Sequence, residues 1–247
     1  MGLENFGRDV SVAVFGAGGG IGQAFVRALA ADDAVVRVHA ITRDPDGIDW
    51  PEGVEAHACD ALDEDSLAAT AEAIAEPGPL HLCIVAAGML HGEGIEPEKT
   101  WRHIDAAAMT EVLRVNTVLP ALVAKHMLPL LATEPKSCFA ALSARVGSIG
   151  DNRKGGWVSY RASKAALNMV VRTLSIELKR RNEAALMVGL HPGTVDTGLS
   201  EPFQSNVPDE QLFDAADSVD RMLAVLDDLE PSDSGHLYAY DGERIEP

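Results

Sequence analysis

The chain has 247 residues, with 20 Lys and Arg against 38 Asp and Glu, for a formal charge of −18. An acidic surface of that kind argues against nucleic acid or an anionic membrane as partner, because both are bound through basic faces that displace counterions or meet lipid phosphate. At 47% hydrophobic and 23% charged, with no biased tract, the composition is that of one globular domain whose core needs no disulfide or metal.

The opening MGLENFGRDV carries Glu4, Arg8 and Asp9 where a secretion signal needs an apolar run. No uninterrupted apolar stretch approaches the roughly 20 residues that span a bilayer, so a cytoplasmic location is expected. Strand-length apolar runs then fall at residues 10–15, 35–41, 54–59, 81–86, 138–142, 186–190 and 236–240. Helix-period segments separate them at 21–31, 64–75, 106–131, 160–181 and 215–229. Strands that alternate with helices, and are apolar on both faces, predict an α/β fold. It is a single Rossmann-like, doubly wound sheet of seven parallel strands with helices on both faces. No linker or repeat divides residues 1–247. The aperiodic segment 198–211, with Pro202 and Pro208, is expected to be a substrate lid. Cys59, Cys83 and Cys138 lie in strand-like runs and read as small core residues; no spacing suggests a metal site.

Gly16-Ala17-Gly18-Gly19-Gly20-Ile21-Gly22 follows the first strand and opens directly into a helix. Glycines permit a tight turn and close backbone approach, and the helix N-terminus offers free N–H groups to a pyrophosphate. The spacing is Gly-x-x-x-Gly-x-Gly on Gly16, Gly20 and Gly22. Later, Tyr160 and Lys164 stand four residues apart in a helical segment and so share a face, where an ammonium can lower a phenol pKa and prepare it for acid–base work. At the end of the second strand, Thr42-Arg43 offers a guanidinium to a 2′-phosphate where an NAD site would carry a carboxylate. NADP is therefore expected over NAD, with Asp44 as a weak counter-signal.

These motifs, with Asn116 in the long central helix, Pro192-Gly193-Thr194-Val195-Asp196-Thr197 after the sixth strand and Asp60 ending the third, resemble the short-chain dehydrogenase/reductase family. The stretch from Gly147 to Lys164 is most similar to its C-factor-like carbonyl reductase branch. The resemblance implies a catalytic set of Asn116, Tyr160 and Lys164, with Asn116 anchoring a relay water and Lys164 also holding the nicotinamide ribose. It implies cofactor contacts at Gly16, Gly18, Gly20, Ile21 and Gly22, at Thr42 and Arg43, and at Asp60 and Ala61. Further contacts are implied at Ala87 and Gly88, at Tyr160 and Lys164, and at Pro192, Gly193, Val195 and Thr197. A homodimer or homotetramer is also implied, with the helices 106–131 and 160–181 as interface elements.

Three departures from the family pattern stand out. Phe15 replaces a usual Thr, Val85-Ala86-Ala87-Gly88 replaces Asn-Asn-Ala-Gly, and Ala144 stands where the carbonyl-polarising serine belongs. Ser143 is one residue early, and alternation of strand side chains makes that offset matter unless the strand end bends. A bend eased by Gly147 and Gly150 is expected to let Ser143 serve. The sequence thus predicts an oxidoreductase that moves hydride between NAD(P)H and a small ketone, aldehyde or alcohol, with Tyr160 as acid/base. A dinucleotide-binding pseudoenzyme acting in signalling or interaction is the alternative.

Overall fold

A computed structural model describes residues 2–202 and 212–247. The sheet begins with β1 (Val10–Phe15), β2 (Val35–Thr42), β3 (Val54–Ala58), β4 (Leu82–Val85), β5 (Ser137–Leu142) and β6 (Ala185–His191). Two short strands, β7 (Thr194–Val195) and β8 (Leu212–Phe213), pair separately, and β9 (Leu237–Ala239) and β10 (Arg244–Ile245) complete the main sheet. Its order is β10-β9-β6-β5-β4-β1-β2-β3. The seven expected strands are present and parallel, and β10 adds an eighth, antiparallel to β9, which the sequence reading did not include. The chain winds outward from β1 to β3 and then returns to β4 on the other side of β1. That reversal opens a crevice at the carboxyl ends of β1 and β4, where doubly wound sheets bind ligands.

Alternation along the strands builds two cores. Val10, Val12 and Val14, with Ala140 and Val188, face α1 (Gly20–Ala30) and α6 (Ala215–Asp228) through Phe25, Val26, Leu29, Val219 and Met222. Ala13, Phe15, Phe139, Ala141 and Met187 face the opposite layer, which holds α2 (Glu64–Ala75), α4 (Leu119–Met127) and α5 (Val158–Lys179). Both faces are covered, which is why β1, β4 and β5 carry almost no polar residue. Cys59, Cys83 and Cys138 are buried free thiols, and burial pushes the Cys138 thiol up to about 12.

The helix expected over 106–131 is not uniform. It runs as α3 (Ala106–Leu113), a π turn at Arg114–Val118, then α4, then a 3-10 turn at Leu128–Leu130. Pro120 supplies a physical reason: it has no N–H for the Asn116 carbonyl four residues back, and its ring crowds that carbonyl. The ladder widens instead, with the Leu119 N–H donating to Arg114. The helical run Ala106–Leu130 is long and apolar enough by length and composition to cross a membrane, although Glu111, Arg114 and Lys125 interrupt it, so no uninterrupted apolar stretch of that length exists within it. In the fold, Val112, Leu119, Val123, Ala124 and Met127 of this run are buried in the protein.

Candidate active site

The glycine turn is shaped by what surrounds it. Gly16 has a φ of 79°, and a Cβ there would lie 2.6 Å from the Ala87 nitrogen, so the turn passes directly over the end of β4. A Cβ on Gly22 would sit 2.1 Å from the Gly16 carbonyl oxygen, which forces the turn to fold back on the first turn of α1. Gly19 caps α1 with no side-chain hydrogen bond, and no acidic residue occupies the helix's first turn. The leading N–H groups and the positive dipole end therefore face outward without a protein anion, as a pyrophosphate site requires.

Other sequence-predicted residues gather round this turn. Thr42 lies against Gly18, where a Cβ would approach its Oγ1 to 2.8 Å, and Thr197 lies over Gly20 at 2.9 Å. Arg43 follows at the end of β2 with an exposed side chain and enters none of the ion pairs among the described residues. The exposed Asp60 carboxylate accepts from the Leu62 N–H at 3.0 Å, fixing the bend at Ala61. Gly193, at φ 79°, packs against Phe213 and Tyr240, while the Pro192 carbonyl accepts from Ser218 and Val195 is buried. Ala87, Thr42 and Thr197 thus close round the glycine turn at Gly16, Gly18 and Gly20.

Tyr160 and Lys164 occupy the first two turns of α5, as their spacing predicts. Lys164 is buried, and its Nζ donates to the Leu142 carbonyl at 2.9 Å and lies 5.7 Å from the centre of the Tyr160 ring. Gly147 makes this approach possible, since a Cβ there would meet that of Lys164 at 2.8 Å. Asn116 is fully buried beside the pair. Its Nδ2 donates to the Met89 carbonyl at 2.7 Å and to Ser163 Oγ at 3.0 Å, and its Oδ1 accepts from the Met89 N–H at 2.8 Å. Gly88 borders both, since a Cβ there would lie 3.6 Å from Asn116 Oδ1 and 3.7 Å from Lys164 Nζ. Asn116, Gly88 and Lys164 thus meet at the mouth of the crevice.

The electrostatics correct one expectation. Burial pushes the Tyr160 phenol up to about 12 and the Lys164 ammonium down to about 8. Desolvation disfavours the charged form of each and outweighs the attraction expected between them. Tyr160 accordingly holds its proton at neutral pH, as a proton donor must.

A second correction concerns Ser143. The Ser143 N–H continues the β5–β6 ladder to Leu190 at 2.7 Å, and Ala144 is extended at φ −153° and ψ 145°. No bend intervenes, so alternation holds. Ser143 is buried and its hydroxyl donates to Asn168 Oδ1 at 2.6 Å, one turn beyond Lys164 on α5. The adjacent residue offers only the Ala144 methyl.

Two residues shape the site without a sequence signal. Glu98 is buried, accepts from the Ser159 N–H at 3.2 Å and from the Ser159 hydroxyl, and so caps the N-terminus of α5. Its backbone carbonyl accepts from the Trp157 N–H at 2.6 Å. Trp157 itself adopts a left-handed conformation, φ 52°, that a bulky residue rarely holds, and its ring stands edge-on to Tyr160 at 6.3 Å. Ser163, next to Lys164, could have been noticed as the partner of Asn116; Glu98, in an aperiodic loop, could not. Of the expected lid, His91 touches the Gly198 carbonyl at 3.0 Å and Ser200 binds back to Val195, while residues 203–211 lie outside the described residues.

The family described as short chain dehydrogenase matches residues 11–208. The chain is 38% identical over 142 residues to C-signal of Myxococcus xanthus, covering 58% of this chain and 80% of that one. It is 33% identical over 159 residues to an uncharacterised oxidoreductase of Schizosaccharomyces pombe, covering 60% of this chain and 59% of that one. The fold is similar to the NADPH-bound carbonyl reductase from chicken fatty liver, at a TM-score of 0.83 and 29% identity over 97% of this chain and 95% of that one. With the glycine turn, the buried lysine and the tyrosine all in their places, the chain belongs to the short-chain dehydrogenase/reductase family of oxidoreductases.

Proposed function

We propose that the protein is an NADPH-dependent reductase of small ketones or aldehydes, with Tyr160 as the proton donor. The observation that carries this reading is the packing of Lys164 between Tyr160, Gly88 and the Leu142 carbonyl at the mouth of a glycine-lined crevice. When bound, the nicotinamide supplies the hydride. Tyr160 gives its phenolic proton to the oxygen of the reduced carbonyl, and its high pKa keeps that proton available at neutral pH. Lys164 keeps one N–H on Leu142, and its remaining N–H groups would hold the ribose hydroxyls of a bound cofactor. The Asn116 side chain is fully engaged with Met89 and Ser163, so its share in a relay falls to the backbone carbonyl that Pro120 leaves without an α-helical donor. Arg43, exposed beside Thr42, supports a 2′-phosphate and hence NADP, as does the NADPH in the similar chicken enzyme.

The test is NADPH oxidation over a panel of small carbonyls. Tyr160→Phe should abolish turnover and leave NADPH affinity nearly unchanged, and Arg43→Ala should erase the preference for NADPH over NADH, a contact worth about 1.5–3 kcal/mol. Wild-type turnover in Tyr160→Phe would overturn the assignment. Ala144 favours a second reading, because nothing at that position donates to a carbonyl oxygen. A protein that binds NADPH but turns over no carbonyl would be a dinucleotide-binding pseudoenzyme. We further propose a homodimer through the exposed apolar side chains Val118, Met169 and Ile176 of the π turn and α5; light scattering that finds only monomer at micromolar concentration would reject it.

A further inference from the structure

Away from this crevice, β2 and β3 bring together three side chains that the proposed reaction does not use. The parallel register sets His39 opposite Glu55, with His57 two residues further along β3, so all three project from one face of the sheet. His39 Nδ1 lies 3.0 Å from His57 Nε2 and 3.4 Å from Glu55 Oε2, and the ligand atoms of all three lie within 4.8 Å of one another. Arg37 lies 3.6 Å from the other oxygen of Glu55, which leaves Oε2 turned to the histidines.

We propose that His39, Glu55 and His57 bind one divalent ion of the zinc class. Bonds of about 2.0–2.1 Å in a tetrahedral site place neighbouring ligand atoms about 3.3 Å apart, which the two measured separations bracket. The half-exposed Glu55 side chain can close the remaining distance. Two imidazoles and one carboxylate form a borderline donor set that suits Zn2+, Co2+ or Ni2+, whereas Mg2+ and Ca2+ seek oxygen ligands. His39 is fully buried, and an ion on its Nδ1 would leave the ring proton on Nε2. Glu55 opens the site to solvent, giving the ion a way in and a water its fourth position. The site lies at the β3 edge of the sheet, three strands away from β5, and an ion there would pin the edge strand to β2.

The test uses full-length protein freed of metal by a chelator. Zn2+ is titrated in competition with a chromophoric chelator, and Co2+ by its visible absorption. One ion per chain is expected, with the strong d–d bands of tetrahedral Co2+ and a higher Tm. His57→Gln and Glu55→Gln should each weaken binding by at least about tenfold, since even outer partners of metal ligands are worth 10–100-fold. His126→Gln, a control at the separate His126–Glu64 pair, should change nothing. Glu55 is half-exposed, so Glu55→Gln decides the matter if His57→Gln does not fold. The proposal fails if the wild type takes up no stoichiometric ion, if Glu55→Gln binds as tightly as wild type, or if His126→Gln alone abolishes binding.

Discussion

Replacing Lys164 with Met removes a buried charge and keeps its volume, so it isolates what that charge does to the fold. Burial lowers the ammonium pKa from 10.5 to about 8. The folded chain therefore sheds this proton near pH 8, and the unfolded chain only near 10.5. Between those values the unfolded state binds more protons, so the wild type gains stability as pH rises. Below pH 8 the full penalty is present, roughly 3 kcal/mol at about 1.4 kcal/mol per pKa unit. The hydrogen bond from Lys164 to Leu142 offsets about 1.5–3 kcal/mol of it, so the variant and the wild type should be of similar stability at pH 6.5. The difference between them must then change with pH. From pH 6.5 to 9.5 the wild type should gain about 2 kcal/mol over Lys164→Met, because only the wild type can release the proton. Urea unfolding of the cofactor-free proteins at the two pH values measures this, and the buried thiols cancel because both proteins carry them. A stability difference constant to within about 0.5 kcal/mol would refute the depressed lysine pKa. The variant should also lose turnover.

Further outcomes follow from the same contacts. Ser143→Ala should leave kcat nearly unchanged and cost about 1–3 kcal/mol in urea unfolding through the broken Asn168 bond, whereas Ala144→Ser should raise kcat by about 10²–10³. A tenfold loss of kcat in Ser143→Ala would return the carbonyl-polarising role to that residue. Glu98→Ala should lower stability by about 2–4 kcal/mol by uncapping α5 and orphaning Ser159, with Glu98→Gln milder; equal melting curves for all three proteins would deny the cap. Gly16→Ala should abolish NADPH binding in a fluorescence titration, because its Cβ meets the Ala87 nitrogen at 2.6 Å and its φ is positive; unchanged affinity would show that the turn can shift.

Much of the fold was legible because double-sided burial writes a simple pattern: runs such as Val10–Phe15 and Ser137–Leu142 are apolar throughout and could be little else. The β10 strand was not, since two residues carry no period. The π turn escaped because helical periodicity does not register a single widened turn, although Pro120 marked the place. Within the site, Tyr160 and Lys164 were readable because both lie on one helix. Ser143 was misassigned because its role depends on whether one peptide bends, a matter of strand parity that composition does not encode. Glu98 and the His39–Glu55–His57 group join segments far apart or on different strands, and only the tertiary register brings them together.

The β7–β8 pair has a consequence for how such a protein can change. Thr194 and Val195 pair with Leu212 and Phe213, so the ends of segment 196–211 are joined at its base, next to the Pro192–Thr197 border of the crevice. Once the ends are fixed, lengthening the enclosed segment adds little: doubling it costs only about 0.6 kcal/mol of closure entropy. Insertions between Pro202 and Leu212 can therefore accumulate without disturbing Thr197 or the other residues that border the crevice. The bridge separates the enclosed segment from the glycine turn, so a change in the length of one need not move Tyr160 or α5.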